Sequence, residues 1–261
     1  RPLKRTMKPY YDSHGITIYH GSSNDVLSEL DASSIDLVLT DPPYNTYIEE
    51  DIHLEGRTPL RRNFGEWDQD WTPDSVVPLV KPLMKPGASL VSFTSDKLLA
   101  AWKACGLTSR GTLVWVKTNP APSARPCYVS ATEWIIWLSK PGAAACWNAD
   151  GYTLNVIYAG RCVGEERTDH PTQKPLEVVQ PLILRHSNPN DLILDPYMGS
   201  GTTLRTAKNC GRRAIGIELD EHWCEVAARR CDNEGEWAPP TQQQFFGKRK
   251  LKIANSARTP L

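Results

Sequence analysis

Two short stretches bring together residue types that do chemistry. The first is TDPPYN, residues 40–45, which sets a carboxylate (Asp41) and an aromatic ring (Tyr44) around Pro42 and Pro43. Neither proline has an N–H for a sheet ladder, so a strand feeding this stretch must stop, and the backbone stiffens at once. The second is DPYMGSGTT, residues 195–203, where Asp195, Pro196 and Tyr197 lead into Gly199, Ser200, Gly201 and Thr202. Glycines let a ligand approach the main chain closely, and the open N–H groups of a helix start suit a polar ligand. Glu218 follows one β-α unit later, roughly 20 residues on, where an acid meets ribose hydroxyls. An ordinary surface acid ahead of a helix is its other reading. The glycine loop is not a phosphate-binding P-loop, because Gly-Lys-Ser/Thr is missing, and Leu204 stands where G-x-G-x-x-G needs its last glycine.

Elements on either side must hold these corners in place. Apolar runs predict strands at 16–20, 35–40, 89–94, 112–117, 133–139, 192–195 and 214–218. Helical patterns fall at 23–30, 73–84, 96–105, 175–186, 202–209 and 221–232. This alternation predicts an α/β fold: a doubly wound, mostly parallel sheet with helices on both faces. The strands at 112–117 and 133–139 lack a helix-length apolar connection and are expected to pair antiparallel at one edge. One catalytic domain is expected over 16–232. Segments 45–71 and 140–169 fit the alternation poorly and are read as functional insertions. The stretch 235–261 is read as a basic C-terminal tail.

Composition narrows the classes. The chain has 261 residues, 40% of them hydrophobic and 23% charged, which suits a globular protein with a sizeable core. No run of about 18 apolar residues occurs, so no transmembrane helix is expected. The seven cysteines form no CxxC pair and are odd in number, which argues against a disulfide framework or a zinc ribbon. They are read as reduced thiols of the core and loops. A formal net charge of zero removes the simplest argument for a nucleic-acid partner. Local basic patches remain at 57–62 and 247–252.

In their order, TDPPYN (40–45), HPTQKP (170–175), DPYMGSGTT (195–203) and GIELD (216–220) resemble the β-class DNA amino-methyltransferases. The likeness runs from about residue 16 to residue 232. It implies a Rossmann-like methyltransferase fold and S-adenosylmethionine as cofactor, with no metal. It implies methylation of an exocyclic amine in a base flipped out of double-stranded DNA. Such an amine is a poor nucleophile, because its lone pair is delocalised into the ring. The Asp41 carboxylate and the Pro42 carbonyl would each accept one of its N–H groups and draw the nitrogen toward a tetrahedral shape. The prolines would hold both acceptors rigidly, and Tyr44 would stack on the base. Catalysis is thus expected from Asp41, Pro42, Pro43 and Tyr44. The cofactor is expected at Asp195, Pro196, Tyr197, Gly199, Ser200, Gly201, Thr202 and Glu218, with Lys174 toward its carboxylate. Aspartate at the head of the tetrapeptide favours adenine N6 over cytosine N4.

The same likeness suggests finer points. His170 is read as a loop histidine without a catalytic role. Ser22 stands where the family commonly has an aspartate and is read as a helix cap, with Asp25 nearby as a substitute adenine contact. The Asn119–Pro120 loop is expected to border the base pocket. Trp115, Trp134 and Trp137 are read as core. Segments 45–71 and 140–169 are read as the DNA-recognition insertions, with Arg57, Arg61 and Arg62 as candidate phosphate or guanine contacts. The Gln242–Phe246 segment loosely resembles peptides that dock on sliding clamps, and a homodimer is left open. A cytoplasmic, nucleoid-associated place in a bacterial or phage-like setting goes with this reading. An N4-cytosine methylase, a catalytically silent cofactor binder and a nicotinamide dehydrogenase remain as alternatives. The last would leave the proline tetrapeptide without a use.

Overall fold

The computed structural model describes residues 7–44, 70–121, 128–149 and 151–232. The expected insertion at 45–71 therefore lies almost wholly outside the described residues, with Arg57, Arg61 and Arg62. The tail with Gln242–Phe246 lies outside them too.

Nine strands form one sheet in the order β1-β2-β9-β8-β3-β4-β6-β5-β7. They are β1 (Tyr11–Ser13), β2 (Ile16–His20), β3 (Ile35–Thr40), β4 (Met84–Thr94), β5 (Thr108–Lys117), β6 (Thr132–Ser139), β7 (Val156–Ala159), β8 (Leu192–Asp195) and β9 (Arg213–Glu218). All run the same way except β1, antiparallel to β2, and β6, antiparallel to β4 and β5. The helices are α1 (Ser23–Glu29), α2 (Val77–Leu83), α3 (Leu99–Ala104), α4 (Leu176–His186), α5 (Thr202–Asn209) and α6 (Glu221–Asp232). One core, with Leu37, Val178, Leu182, Leu204 and Ala227, seats α4, α5 and α6 on one face of the sheet. The other, with Val38, Leu27, Val80 and Trp102, seats α1, α2 and α3 opposite. This is the doubly wound arrangement the alternation predicts.

Four expectations need correction. The β5–β6 pair is antiparallel, as expected, but it is not the edge, because β7 adds in parallel outside β5. The strand β7 comes from within 140–169, a segment read as irregular. The helix expected over 73–84 is a 3-10 turn at Pro73–Ser75 followed by α2, which carries Pro82 inside it. Proline removes an intrahelical hydrogen bond, so the element stays short. Likewise 96–105 divides into a 3-10 turn at Asp96–Leu98 and the short α3.

The order of the strands locates the site. From β3 the chain passes through α2 to β4 on one side; from β8 it passes through α5 to β9 on the other. The two connections leave on opposite faces, so a crevice opens between the carboxyl ends of β3 and β8. In open α/β sheets that is where ligands bind.

Candidate active site

The strand β3 is buried along nearly its whole length and stops where Pro42 begins. Pro42 and Pro43 are buried, and the hydroxyl of Ser95 donates to the Tyr44 carbonyl at 3.2 Å, pinning the corner to the end of β4. Next to it, β8 (LILD) ends in Asp195. The Thr40 hydroxyl donates to Asp195 Oδ1 at 2.9 Å, so the two strand ends are joined side by side at the rim. The same Oδ1 accepts the Tyr197 N–H at 3.1 Å, and the Ser23 hydroxyl donates to the Pro196 carbonyl at 2.6 Å. Burial pushes the Asp195 carboxyl up to about 7, against the hydrogen bonds from Thr203, Thr40 and the Tyr197 N–H.

The glycine loop then turns into α5. Gly201 sits at φ +78°, and a Cβ there would lie 2.6 Å from Ala227 Cβ, so only glycine lets α5 and α6 meet so closely. Arg230, on α6, closes the loop from behind by donating to the Ser200 carbonyl at 2.6 Å. Glu218, at the tip of β9, accepts the Gly199 N–H on Oε2 at 3.0 Å. Its Oε1 accepts the Leu219 and Asp220 N–H groups at 2.8 and 2.9 Å. A carboxylate has about four lone-pair positions, so Oε2 keeps one for a ligand hydroxyl. Burial holds the Glu218 carboxyl above the ordinary range, with these N–H groups opposing it.

Both corners contribute to one cleft of about 1130 Å³, lined among others by Asp41, Pro43, Asp195, Gly199, Glu218 and Trp223, whereas Pro42, Tyr44 and Gly201 do not line it. That exceeds the roughly 300–1,000 Å³ of common small-molecule sites. There is room for a nucleoside-sized cofactor and a second ring.

The HPTQKP stretch forms one wall of this cleft. Its shape comes from Gln173, whose Oε1 accepts from the Thr168 N–H and hydroxyl, both at 2.7 Å, while its Nε2 donates to the Glu166 carbonyl at 2.7 Å. Glu166 in turn accepts the Leu176 N–H at 2.7 Å and caps α4. Lys174, expected toward the cofactor's carboxylate, lines the cleft and pairs there with Asp41, Nζ to Oδ2 at 2.5 Å. Its other anion is Glu133, at 3.5 Å, which also pairs with Lys117 at 2.9 Å. The Tyr44 hydroxyl donates to Asp41 Oδ1 at 2.5 Å, and the Lys174 ammonium lies 5.2 Å from the Tyr44 ring centre and 5.1 Å from that of Phe93.

Burial pushes the Asp41 carboxyl up, and Lys174 pulls it back. Burial also works against the Lys174 ammonium, but Asp41 and Glu133 outweigh it and hold its pKa above the ordinary value. At Glu133 the two lysines outweigh burial and hold the carboxyl below its usual range. Glu133 escapes a reading of the sequence because it looks like the start of an apolar strand. The available signal is direction: an antiparallel strand brings its first residues to the rim where its neighbours end.

His170 lines the cleft, wedged between Gly199 and the Trp223 ring, whose centre is 4.6 Å away. Burial and the nearby Lys174 and Arg167 lower its pKa to about 4, so it is neutral near pH 7. Ser22 caps α1, accepting the Asn24 N–H at 3.3 Å. Ser22 and Asn24 line the cleft; Asp25 does not and is exposed. Asn119, at the end of β5, does not line it either; its side chain accepts the Arg161 N–H at 2.6 Å. Trp115 is buried, whereas Trp134 and Trp137 are half-buried, and Trp137 stacks on Trp147 at 5.1 Å. Among the described residues no cluster of three or more His, Cys, Asp or Glu could hold a metal, and no helix is long and apolar enough to cross a membrane. The described cysteines are free, and Cys162, Cys224 and Cys231 are buried.

Known proteins match this architecture along most of the chain. A type II methyltransferase of Streptococcus pneumoniae, M2.DpnII, is 29% identical over 253 residues, covering 88% of this chain and 94% of the relative. M2.MboI of Moraxella bovis is 28% identical over 274 residues, covering 95% and 98%. Among solved structures, the M1.HpyAVI–SAM complex superposes with a TM-score of 0.63 at 30% identity, covering 82% of this chain and 99% of that one. The PvuII cytosine-N4-specific DNA methyltransferase superposes at 0.69 with 19% identity over 88% and 91%, a likeness of fold. Residues 35–229, which hold both strand-end corners and the wall between them, match the family described as DNA methylase (N6_N4_Mtase). The chain belongs to that DNA methylase family.

Proposed function

We propose that the protein transfers a methyl group from S-adenosylmethionine to the exocyclic N6 of an adenine flipped out of double-stranded DNA. The observation that carries this reading is the hydrogen bond from Thr40 to Asp195, which sets the proline corner and the glycine corner side by side over one cleft. The residues present fit the cofactor: Glu218 has an acceptor left for a ribose hydroxyl, Asp195, Pro196, Tyr197, Gly199, Ser200 and Thr202 line the cleft beside it, and Gly201 makes the turn into α5. S-adenosylmethionine, when bound, supplies a methyl group on a sulfonium, open to direct displacement by an amine lone pair.

The chain's own part is to bind, orient and accept. Asp41 and the Pro42 carbonyl take the two amine N–H groups and turn the lone pair out of the ring plane. Pro42 and Pro43 keep these acceptors from having to be ordered at the moment of reaction. The Tyr44 ring gives the flipped base a stacking face, which offsets part of the unstacking cost. Aspartate at the head of the tetrapeptide favours adenine over cytosine. A cytoplasmic place beside the nucleoid goes with this substrate.

Incubation with radiolabelled S-adenosylmethionine and mixed-sequence duplex DNA, followed by digestion to nucleosides, tests the reading. Label in N6-methyladenine is expected. Label in N4-methylcytosine would move the assignment to cytosine, and unlabelled DNA with tightly held cofactor would identify a binder.

A further inference from the structure

The acid of the tetrapeptide is one end of a line of alternating charge that crosses four elements. Asp41 closes β3, Lys174 precedes α4, Glu133 begins β6, and Lys117 ends β5. The line is neutral as a whole, and the Lys174 side chain is only 7% exposed. A buried ammonium is costly unless anions surround it. Here two carboxylates do, and the rings of Tyr44 and Phe93 close its remaining sides. The other ionisable groups facing this cluster are Tyr44, Asp195 at the tip of β8, and His170, which stays neutral.

The geometry points to Lys174 as a positioning residue for methyl transfer: bridging Asp41 and Glu133, it fixes the rotation of the Asp41 carboxylate and so aims its free oxygen as an acceptor. Resting on the reading above, this replaces the role in cofactor binding that the sequence suggests. The bond from Lys174 takes Oδ2, which leaves Oδ1, on the Tyr44 side, to turn from the phenol to a base amine. A protonated Asp41 could accept only on its remaining lone pairs and would offer a donor to an amine that is itself a donor. Lys174 guards against that state, because burial alone drives Asp41 toward protonation.

Three variants separate this role from cofactor binding and from plain scaffolding. In Lys174→Met, the Asp41 carboxyl of the cofactor-free protein, followed by carbon-13 NMR with aspartate labelling, should titrate about one pH unit or more higher than in the parent. Affinity for S-adenosylhomocysteine, measured by calorimetry, should stay within about 3-fold, since no cofactor contact is lost. Turnover should fall by about 100-fold at neutral pH and recover partly as pH rises, with the acid limb displaced upward. Lys174→Arg should restore part of the rate.

Glu133→Gln supplies the opposite sign. Removing that negative charge should move the Asp41 titration downward, whereas general loosening of the site would move both variants the same way. A tenfold loss of S-adenosylhomocysteine affinity in Lys174→Met with the Asp41 titration unmoved would overturn the proposal in favour of a cofactor role. Should Lys174→Met fail to fold, Glu133→Gln decides alone: a downward shift supports the proposal and an unmoved titration overturns it. Absence of methylation by the parent would sink the functional reading, while the Asp41 titration would still report on the ion chain.

Discussion

At the end of β3 the main chain runs into Pro42 and Pro43; at the end of β8 it runs through Gly199 and Gly201. The two strands are neighbours and end on the same rim, yet their corners are opposites. The proline corner has lost two N–H groups and presents acceptors on a stiff frame. The glycine corner keeps its N–H groups and bends where a side chain would not fit. Their acids are tied differently too. Asp41 is held by a distant side chain, Lys174, whereas Asp195 accepts the Thr40 hydroxyl from the neighbouring strand and the Tyr197 N–H from its own turn, and Glu218, at the tip of β9 beside the glycine loop, is held by backbone N–H groups. In the proposed function one corner holds an amine in a single pose and the other lets a larger ligand lie along the backbone, and transfer between the two ligands needs both.

This contrast can be broken from either side. The largest effect is expected at the proline corner. Asp41→Ala should lower turnover by about 1,000-fold or more, roughly 4 kcal/mol of barrier, because a preorganised acceptor is lost. S-adenosylhomocysteine binding by calorimetry should be nearly unchanged. Substantial residual turnover would remove Asp41 from the proposed role.

At the glycine corner the damage should run the other way. Gly201→Ala places a methyl 2.6 Å from Ala227 Cβ at a φ of +78°, so α6 or the loop must shift. A loss of about 1–3 kcal/mol in urea unfolding is expected, with weakened cofactor affinity. Unchanged stability would mean that the corner is looser than its geometry indicates.

A smaller effect sharpens the link between the corners. Asp195 has a carboxyl near pH 7 in the folded protein against an ordinary value of 3.8. Between those values the folded chain holds a proton that the unfolded chain has released. The stability this contributes is complete below the lower value and drains as pH rises through the upper one, at no more than about 1.4 kcal/mol per pH unit. Asp195→Asn should therefore flatten the decline of unfolding free energy between those two values, compared with the parent. An identical slope in both proteins would show that Asp195 titrates normally.

The corners themselves could be read in the sequence, because each is written in consecutive residues with strong backbone consequences. Proline ends a strand and glycine permits a turn wherever they occur. The main strands were legible for a similar reason, since buried parallel strands read as apolar runs. The strand β1, three residues long, gives no such run, and β7 is four residues inside a stretch rich in glycine and alanine. What pairs with Asp41 was not legible. Lys174 lies 133 residues away, and its place beside Asp41 depends on how Gln173 and Glu166 fold the wall of the cleft. Glu133 reaches the rim only because β6 runs backwards, a fact of topology and not of local pattern.

The central claim is one of adjacency, and a crystal structure with bound S-adenosylhomocysteine tests it most directly. The ribose hydroxyls should meet Glu218, and the sulfur should lie in the cleft between the glycine loop and Asp41, within about 5–6 Å of the Pro42 carbonyl, the span of one methyl and one amine nitrogen at reacting distance. A cofactor seated with its sulfur turned away from Asp41, or on the far side of α1, would contradict the account.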